Sequence, residues 1–394
     1  MKIYEIGTGY TPIPAQMGAA TEIVVEELTR SFLKNGQDVT ILDIKAQDRP
    51  KTDLPICEVG VPKIFTKTDV SLGIMHKLKR VVYSIKLAQK IKGILKTAQE
   101  QVVLHFHNQY NLFFFLKLTP KKLLKNVKIA YTVHSYIWGG EWGIIENTVK
   151  KRYFQEIFCV KNADYVLVLN DITTDHFVNR LGVDKNKIYK IQNGVNTEKY
   201  SPLSQEKVDN FKEKENLKNA KIILQVGSVC ERKNQLGTVK MLTEFFKDNP
   251  DVVYLYSGGI VDNEYQNAIT NYAKEKGVEA NVKYLGELAP GEELNRYYNM
   301  ASCCVFTSNL ESFGLVIIES IAAGTPVIVG NNLMFALDGG YSIYNSQKEF
   351  VTLVEEAINK NKGEQNISRF AQKFSWDKVA QNHSSIFSKW ENEC

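Results

Sequence analysis

The sequence predicts an α/β protein of two domains, each built on a parallel sheet. Three observations carry that expectation. A chain of 394 residues is too long for one hydrophobic core and suits two domains of about 200 residues each. Short apolar runs alternate with longer amphipathic stretches along the chain, as strands buried on both faces alternate with the helices that cover them. Between Ala301 and Gly330, ASCCVFTSNLESFGLVIIESIAAGTPVIVG reads as one complete strand–helix–strand unit.

Composition is that of a globular protein, 44% hydrophobic and 24% charged, with no low-complexity tract. No apolar run approaches the roughly 20 residues of a membrane span. Met1–Gly7 reads as a first strand and not as a signal peptide. The six cysteines show no metal-ligand spacing and several fall in apolar runs, as expected of reduced core thiols in a cytoplasmic protein. The net charge of +5 is concentrated: Val70–Gly140 holds twelve Lys and Arg against one acid, Glu100.

In chain order, Lys2–Gly7 is the first strand, followed by a loop with Pro12 and Pro14. Gly18-Ala19-Ala20 opens a helix to about Asn35, which Gly36 ends, and Val39–Leu42 is the second strand. Ile74–Leu95 is helical by period, with apolar positions at 74, 78, 81, 82, 85, 88, 91 and 95 and lysines opposite. Val102–His105 is a buried strand ending in His105-Phe106-His107, and Ile129–Val133 is another, ending at His134. Between them FFFLKLTPKKLLKNVK, residues 113–128, mixes basic and apolar residues. Further strands fall at Ala163–Asn170 and Lys187–Gln192, and Gly194 with the polar residues to Pro202 reads as an interdomain linker. The second domain opens with a strand at Ile222–Val226, a turn Gly227–Asn234 and a helix to Phe246. Strands at Val252–Tyr256 and Asn281–Gly286 precede a helix at Glu292–Met300.

In the central unit, Cys303–Phe306 is a strand, Ser312 an N-cap candidate, Leu315–Ala323 a helix, and Val327–Val329 the next strand. Its polar loop lies where open parallel sheets bind ligands, at the carboxyl ends of the strands. Glu311 and Glu319 are separated by eight residues, or roughly 12 Å of helical rise. The helix start between them offers unsatisfied N–H groups that attract phosphate. Phe374–Trp390 closes the chain as an amphipathic helix.

Glu311-Ser-Phe-Gly-Leu-Val-Ile-Ile-Glu319, followed by A-A-G-T-P-V, resembles the Glu-x7-Glu motif of the large retaining glycosyltransferase family (glycosyltransferase family 4-like, glycosyl transferases group 1). That resemblance spans nearly the whole chain. It implies the GT-B fold: two Rossmann-like domains facing across a cleft, here 1–196 on the acceptor side and 197–374 binding the nucleotide sugar, with helix 375–394 crossing back to the first. It further implies that Glu311 contacts the donor sugar and Glu319 the ribose. Lys233 stands at the family's diphosphate lysine, and the neighbouring Arg232 is assigned the same role because Ser228 fills the usual arginine place. Gly18, Ser228, Leu285 (beside the nucleobase), Ser312, Phe313, Gly314 and Leu315 complete the implied donor site. His134 is placed by the donor phosphate and sugar, and His107 and Tyr10 on the acceptor side. The chain departs from the family at Gly18-Ala19, at Asn196 where Asp is usual, and over Asn331–Gly340.

The expected function is transfer of a hexose from a nucleotide diphosphate sugar, a UDP-sugar ahead of a GDP-sugar, to a saccharide or lipid-linked acceptor in surface glycan synthesis. A sugar-nucleotide-binding protein without turnover and a sugar-nucleotide epimerase are the alternatives. With no Asp-x-Asp pair present, Lys233 and Arg232 are expected to replace a metal, and no cofactor is called for. The basic-apolar segments 74–96 and 113–128 have the composition of a surface that settles on anionic lipid, so a peripheral position on the inner face of the membrane is expected. Nucleic acid is not an expected partner, since no recognition motif accompanies the charge.

Overall fold

The computed structural model describes residues 1–15, 19–66, 74–140, 146, 152–331, 333, 337, 339–360 and 367–390. The chain divides into two compact units, Met1–Gly194 with Trp376–Cys394, and Val195–Ser375.

The first unit is a seven-stranded sheet of order β3-β2-β1-β4-β5-β6-β7. Its strands are β1 (Lys2–Ile6), β2 (Val39–Ile44), β3 (Ile56–Val59), β4 (Val102–Phe106), β5 (Val127–Thr132), β6 (Tyr165–Val168) and β7 (Ile188–Lys190). Every neighbouring pair is parallel. β4 is buried along its whole length, which accounts for a run with no alternation. The order reverses between β1 and β4, and their register sets Glu5 directly beside His105. The strand β3 was not expected, because ICEV is too short and too polar to stand out from its loop.

The second unit holds six parallel strands in the order β10-β9-β8-β11-β12-β13. These are β8 (Lys221–Val226), β9 (Val252–Ser257), β10 (Val282–Tyr284), β11 (Cys303–Phe306), β12 (Val327–Gly330) and β13 (Ser342–Tyr344). Here the order reverses between β8 and β11, so the loops after these strands meet at the sheet's switch point, the usual ligand position. A core of Ile223, Val239, Leu242, Tyr254, Val305, Ile328, Phe350 and neighbours joins the sheet to its helices.

One expectation about a helix needs correction. The Ile74–Thr97 helix buries the apolar face read from its period only in its second half, at Ala88, Ile91 and Leu95. Its first half turns His76, Lys79 and Tyr83 inward and leaves Ile74 (83% exposed), Leu78 and Val81 outside. The reason lies in what it packs on, which is backbone. Lys79 Nζ donates to the Tyr10 carbonyl at 3.2 Å and the Tyr83 hydroxyl to the Gly7 carbonyl at 3.1 Å, while Arg80 stacks on the Tyr10 ring. Those carbonyls need donors, so polar side chains face in and apolar ones face out. The basic-apolar stretch 113–128 falls mostly on a Gln109–Leu118 helix and a Lys121–Leu124 turn. Among the described residues no helix is long and apolar enough to cross a membrane.

The helix Trp376–Phe387 belongs to the first unit. Phe387 and His383 pack on Phe32, and Lys34 pairs with Asp377 at 2.6 Å.

Candidate functional site

The site candidates of the second unit gather on the loops after β8 and β11. Gly227 ends β8 in a backbone that only glycine adopts readily, at φ 151°, and a Cβ there would stand 3.0 Å from Lys233 Cε. The chain then makes a short 3₁₀ turn, Glu231–Lys233, and passes through Asn234 at φ 59° into the Gln235–Asp248 helix. A buried polar network holds this turn in place. Gln225 Nε2 donates to the Lys233 carbonyl at 2.7 Å, and its oxygen accepts from the Thr238 and Tyr254 hydroxyls, both at 2.8 Å. Asn234 Nδ2 reaches the Thr307 carbonyl at 3.2 Å, which ties the turn to the loop after β11. Neither Gln225 nor Asn234 was singled out by sequence, since each reads alone as an ordinary strand or turn residue.

The result is a compact charge cluster. Lys233 is nearly buried and its Nζ lies 2.7 Å from Glu311 Oε1, and it sits 4.9 Å over the Phe306 ring. Arg232 NH1 bonds the same carboxylate oxygen and donates to the Leu310 carbonyl at 3.1 Å. The two cations expected to meet a diphosphate are held by the carboxylate expected to meet the sugar.

The helix beside them starts at Leu315, and its N-cap is Gly314 at φ 80° with no side-chain cap. Ser312 is therefore not the N-cap. A Cβ at Gly314 would also meet Ile317 Cδ1 at 2.9 Å, so the left-handed turn at this position requires glycine twice over. Glycine thus brings no cap side chain to the first N–H groups of the helix, as suits an anion site. Phe313 is only 1% exposed. Its side chain packs in the core, so what this position can offer a donor is its backbone. Glu319 lies one turn into the helix, buried, with its Oε2 accepting from the Tyr298 hydroxyl at 3.0 Å. Leu285, half-buried, follows β10 with its N–H on the Tyr256 carbonyl, and the Ser228 carbonyl accepts from Gln235 Nε2 at 3.0 Å.

In the first unit the carboxyl end of β4 and the start of the loop after β5 carry the histidines. Glu5 on β1 is fully buried between His105 Nδ1 at 2.8 Å and His107 Nε2 at 2.7 Å. His107 Nδ1 in turn lies 3.0 Å from His134 Nε2. Burial by itself would raise Glu5, but the His105 charge and the bonds from both rings outweigh it and bring its pKa to about 2. Burial, then repulsion from His105, pushes His107 down to about 4. Burial and the neighbouring His107 likewise drive His134 well below the usual histidine value. His107 is thus a buried residue behind His134 and does not face an acceptor, because both of its ring nitrogens are already engaged. Glu5, His105 and His107 bring one carboxylate and two imidazoles within 4.8 Å, a donor set a metal could use. Here each carboxylate oxygen is instead occupied by a ring N–H. Tyr10 is held in place by Asn108 Nδ2 on its hydroxyl at 2.8 Å and by the Arg80 guanidinium. Gly18 lies outside the described residues, as does part of Asn331–Gly340.

These features can be set beside known proteins. Residues 207–374 match the family described as Glycosyl transferases group 1, and residues 21–199 match Glycosyltransferase Family 4. A D-inositol 3-phosphate glycosyltransferase of Corynebacterium glutamicum is 26% identical over 58% of this chain, and the match spans 58% of that relative's own length. An uncharacterized glycosyltransferase of Methanocaldococcus jannaschii is 22% identical over 98% of both chains. Among solved structures, the sucrose-phosphate synthase of Thermosynechococcus elongatus superposes with a TM-score of 0.74 at 20% identity, over 100% of both chains. HepE of Anabaena, solved with UDP and glucose, gives 0.73 at 14% identity, over 98% of this chain and 99% of that one. Two successive family matches take in most of the sequence, and the sheets they fall on have the parallel GT-B architecture: the chain belongs to the group 1, family 4-like GT-B glycosyltransferases.

Proposed function

We propose that the chain transfers a hexose from a nucleotide diphosphate sugar to a saccharide or lipid-linked saccharide acceptor with retention of configuration, in the synthesis of a surface glycan. The observation that carries this reading is the cluster of Lys233, Arg232 and Glu311 beside the uncapped start of the Leu315–Ala322 helix. Breaking the bond from sugar to diphosphate leaves negative charge on the phosphate oxygen, and positioned cations and N–H donors lower that barrier. Lys233, Arg232 and the helix start are those groups. An incoming diphosphate competes with Glu311 for the two cations and releases its carboxylate toward the hydroxyls of the hexose. Glu319, steadied by Tyr298, takes the ribose. Retention is carried over from the family's Glu-x7-Glu members, as is a role for His134 toward the donor. A UDP-sugar is preferred over a GDP-sugar because a structural neighbour, HepE, was solved with UDP and glucose. With two cations on the leaving group, the reaction runs without a metal.

The exposed Ile74, Leu78 and Val81 beside Lys77, and separately the basic Lys121–Leu124 turn, have the apolar-basic character suited to an anionic bilayer. We place the protein on that basis at the cytoplasmic face of a membrane. Release of nucleoside diphosphate from a panel of nucleotide sugars, with and without EDTA and acceptor, tests the reading. Metal-independent release from a UDP-hexose is expected. Diphosphate binding without release from any sugar would make it a binding protein, and interconversion of the sugar without transfer would make it an epimerase.

A further inference from the structure

The Glu5–His107–His134 chain has a direction. Glu5 is an ionised carboxylate and can only accept, so the 2.7 Å contact to its Oε2 requires a proton on His107 Nε2. His107 is neutral, because burial and the neighbouring His105 resist a second proton. Its Nδ1 therefore carries a lone pair, and that atom lies 3.0 Å from His134 Nε2. A hydrogen bond there requires the proton to be on His134 Nε2. His134 is neutral as well, through burial and the adjacent His107, so its Nδ1 is left as a lone pair. Among the described residues no hydrogen bond occupies Nδ1, and His134 is the one member of the chain that is not fully buried.

We propose that Glu5 is a positioning residue which, acting through His107, fixes His134 in the Nε2–H tautomer. His134 thereby presents Nδ1 as a hydrogen-bond acceptor for a sugar hydroxyl. The three residues come from three strand ends, β1, β4 and β5, so the parallel register holds the relay. One ring orients the next much as a buried carboxylate orients a metal-bound or catalytic imidazole.

The other oxygen of Glu5 makes the idea testable by a conservative change. Glu5 Oε1 accepts from His105 Nδ1 at 2.8 Å, and His105 Nε2 lies 2.7 Å from the Thr132 hydroxyl. A hydroxyl can donate or accept, so His105 can turn its Nδ1 lone pair to an amide while its Nε2–H donates to Thr132. Glu5→Gln can therefore direct its NH₂ to His105 and keep its oxygen for His107, leaving His134 unchanged. Glu5→Leu removes the acceptor from both rings.

The experiment is ¹⁵N NMR of histidine-labelled full-length protein, free of substrate, with signals assigned by His107→Gln and His134→Asn. Wild type is expected to show His107 and His134 both as Nε2–H tautomers. In Glu5→Gln that state persists at both, and in Glu5→Leu the Nδ1–H form appears at His134. A wild-type His134 carrying its proton on Nδ1 overturns the proposal, and so does a folded Glu5→Leu protein whose His134 keeps the single Nε2–H form. Should Glu5→Leu not fold, the wild-type and Glu5→Gln spectra still decide: a Glu5→Gln protein in which one of His107 and His134 changes tautomer and the other does not follow sinks it. The tautomers are read without turnover, so they stand or fall apart from the proposed reaction. The role toward a sugar hydroxyl rests on that reaction. There, Glu5→Leu should lower kcat by about 100-fold with donor KM little changed, and Glu5→Gln should retain most of the rate.

Discussion

Replacing Lys233 by Met isolates the contribution of one cation to the leaving diphosphate. The substitution keeps the length and apolar stem of the side chain, which lies under Gly227, and removes the charge together with its contact over the Phe306 ring. Lys233 and Glu311 are 11% and 10% exposed at their side chains, so a charge-assisted bond in this place falls in the range of about 1.5–3 kcal/mol. If Lys233 exchanges Glu311 for phosphate in the transition state, losing that bond lowers kcat/KM by about 10- to 150-fold. Arg232 is more exposed, at 27%, and gives one of its bonds to the Leu310 carbonyl. Arg232→Met should therefore cost about 10-fold or less. Stability should change little, because Arg232 still compensates Glu311 and no buried carboxylate is orphaned; orphaning one would cost about 3–5 kcal/mol. Steady-state release of nucleoside diphosphate, read beside a thermal-shift curve, measures both. The reasoning fails if Arg232→Met is the more damaging change, or if Lys233→Met lowers Tm by about 10 °C or more, which would show Lys233 to be chiefly a structural counter-ion.

Three further outcomes are expected. Glu319→Ala should weaken binding of the nucleoside diphosphate itself by about 1–3 kcal/mol, with Tyr298→Phe weakening it less, while Glu311→Ala spares it and harms turnover; calorimetry with UDP and GDP giving equal losses for both glutamates would refute the division of roles. In flotation assays the protein should rise with anionic but not neutral liposomes, and changing Lys117, Lys121, Lys122 and Lys125 to Glu should abolish this; unchanged flotation would count against the lipid surface. Burial raises the Glu22 carboxyl to about 7 despite its bond from Thr8. A folded value above the unfolded one means that the unfolded state binds fewer protons in between, so this group destabilises the fold increasingly as pH rises from about 4.5 to 7. Glu22→Gln should therefore gain stability over wild type by up to about 3 kcal/mol at pH 8 and show no gain at pH 4; denaturant unfolding with the same difference at both pH values would contradict it.

Much of the second unit was legible because its signals are local. Cys303–Phe306, the loop and Leu315–Ala322 follow one another within a single strand–helix–strand unit, and apolar run length, a turn and a glycine stop place all three. Lys233 was assigned through the family resemblance, and the structure shows how its position fits Gly227, since a side chain at Gly227 would meet the Lys233 stem. The N-cap was expected at Ser312 and lies two residues on, at Gly314, because a polar residue before a helix and a left-handed glycine signal the same event, and only backbone dihedrals tell them apart.

What the sequence by itself determined, then, is which residues lie on which strand end: alternation of short apolar and long amphipathic runs fixes a parallel α/β chain, and strand ends put His105, His107 and His134 near a sheet's carboxyl edge. What only the tertiary structure decided is which of them reaches outward. His107 looks as well placed as His134 in the linear chain, yet the register of β1 against β4 lays Glu5 beneath His107 and buries it. The inward turn of Lys79 and Tyr83 in the first half of the Ile74–Thr97 helix was likewise invisible to periodicity, because their partners are the carbonyls of Tyr10 and Gly7. Periodicity reports which side chains share a face. Whether that face is covered, and by apolar atoms or by carbonyls, depends on segments distant in sequence that meet only in the fold.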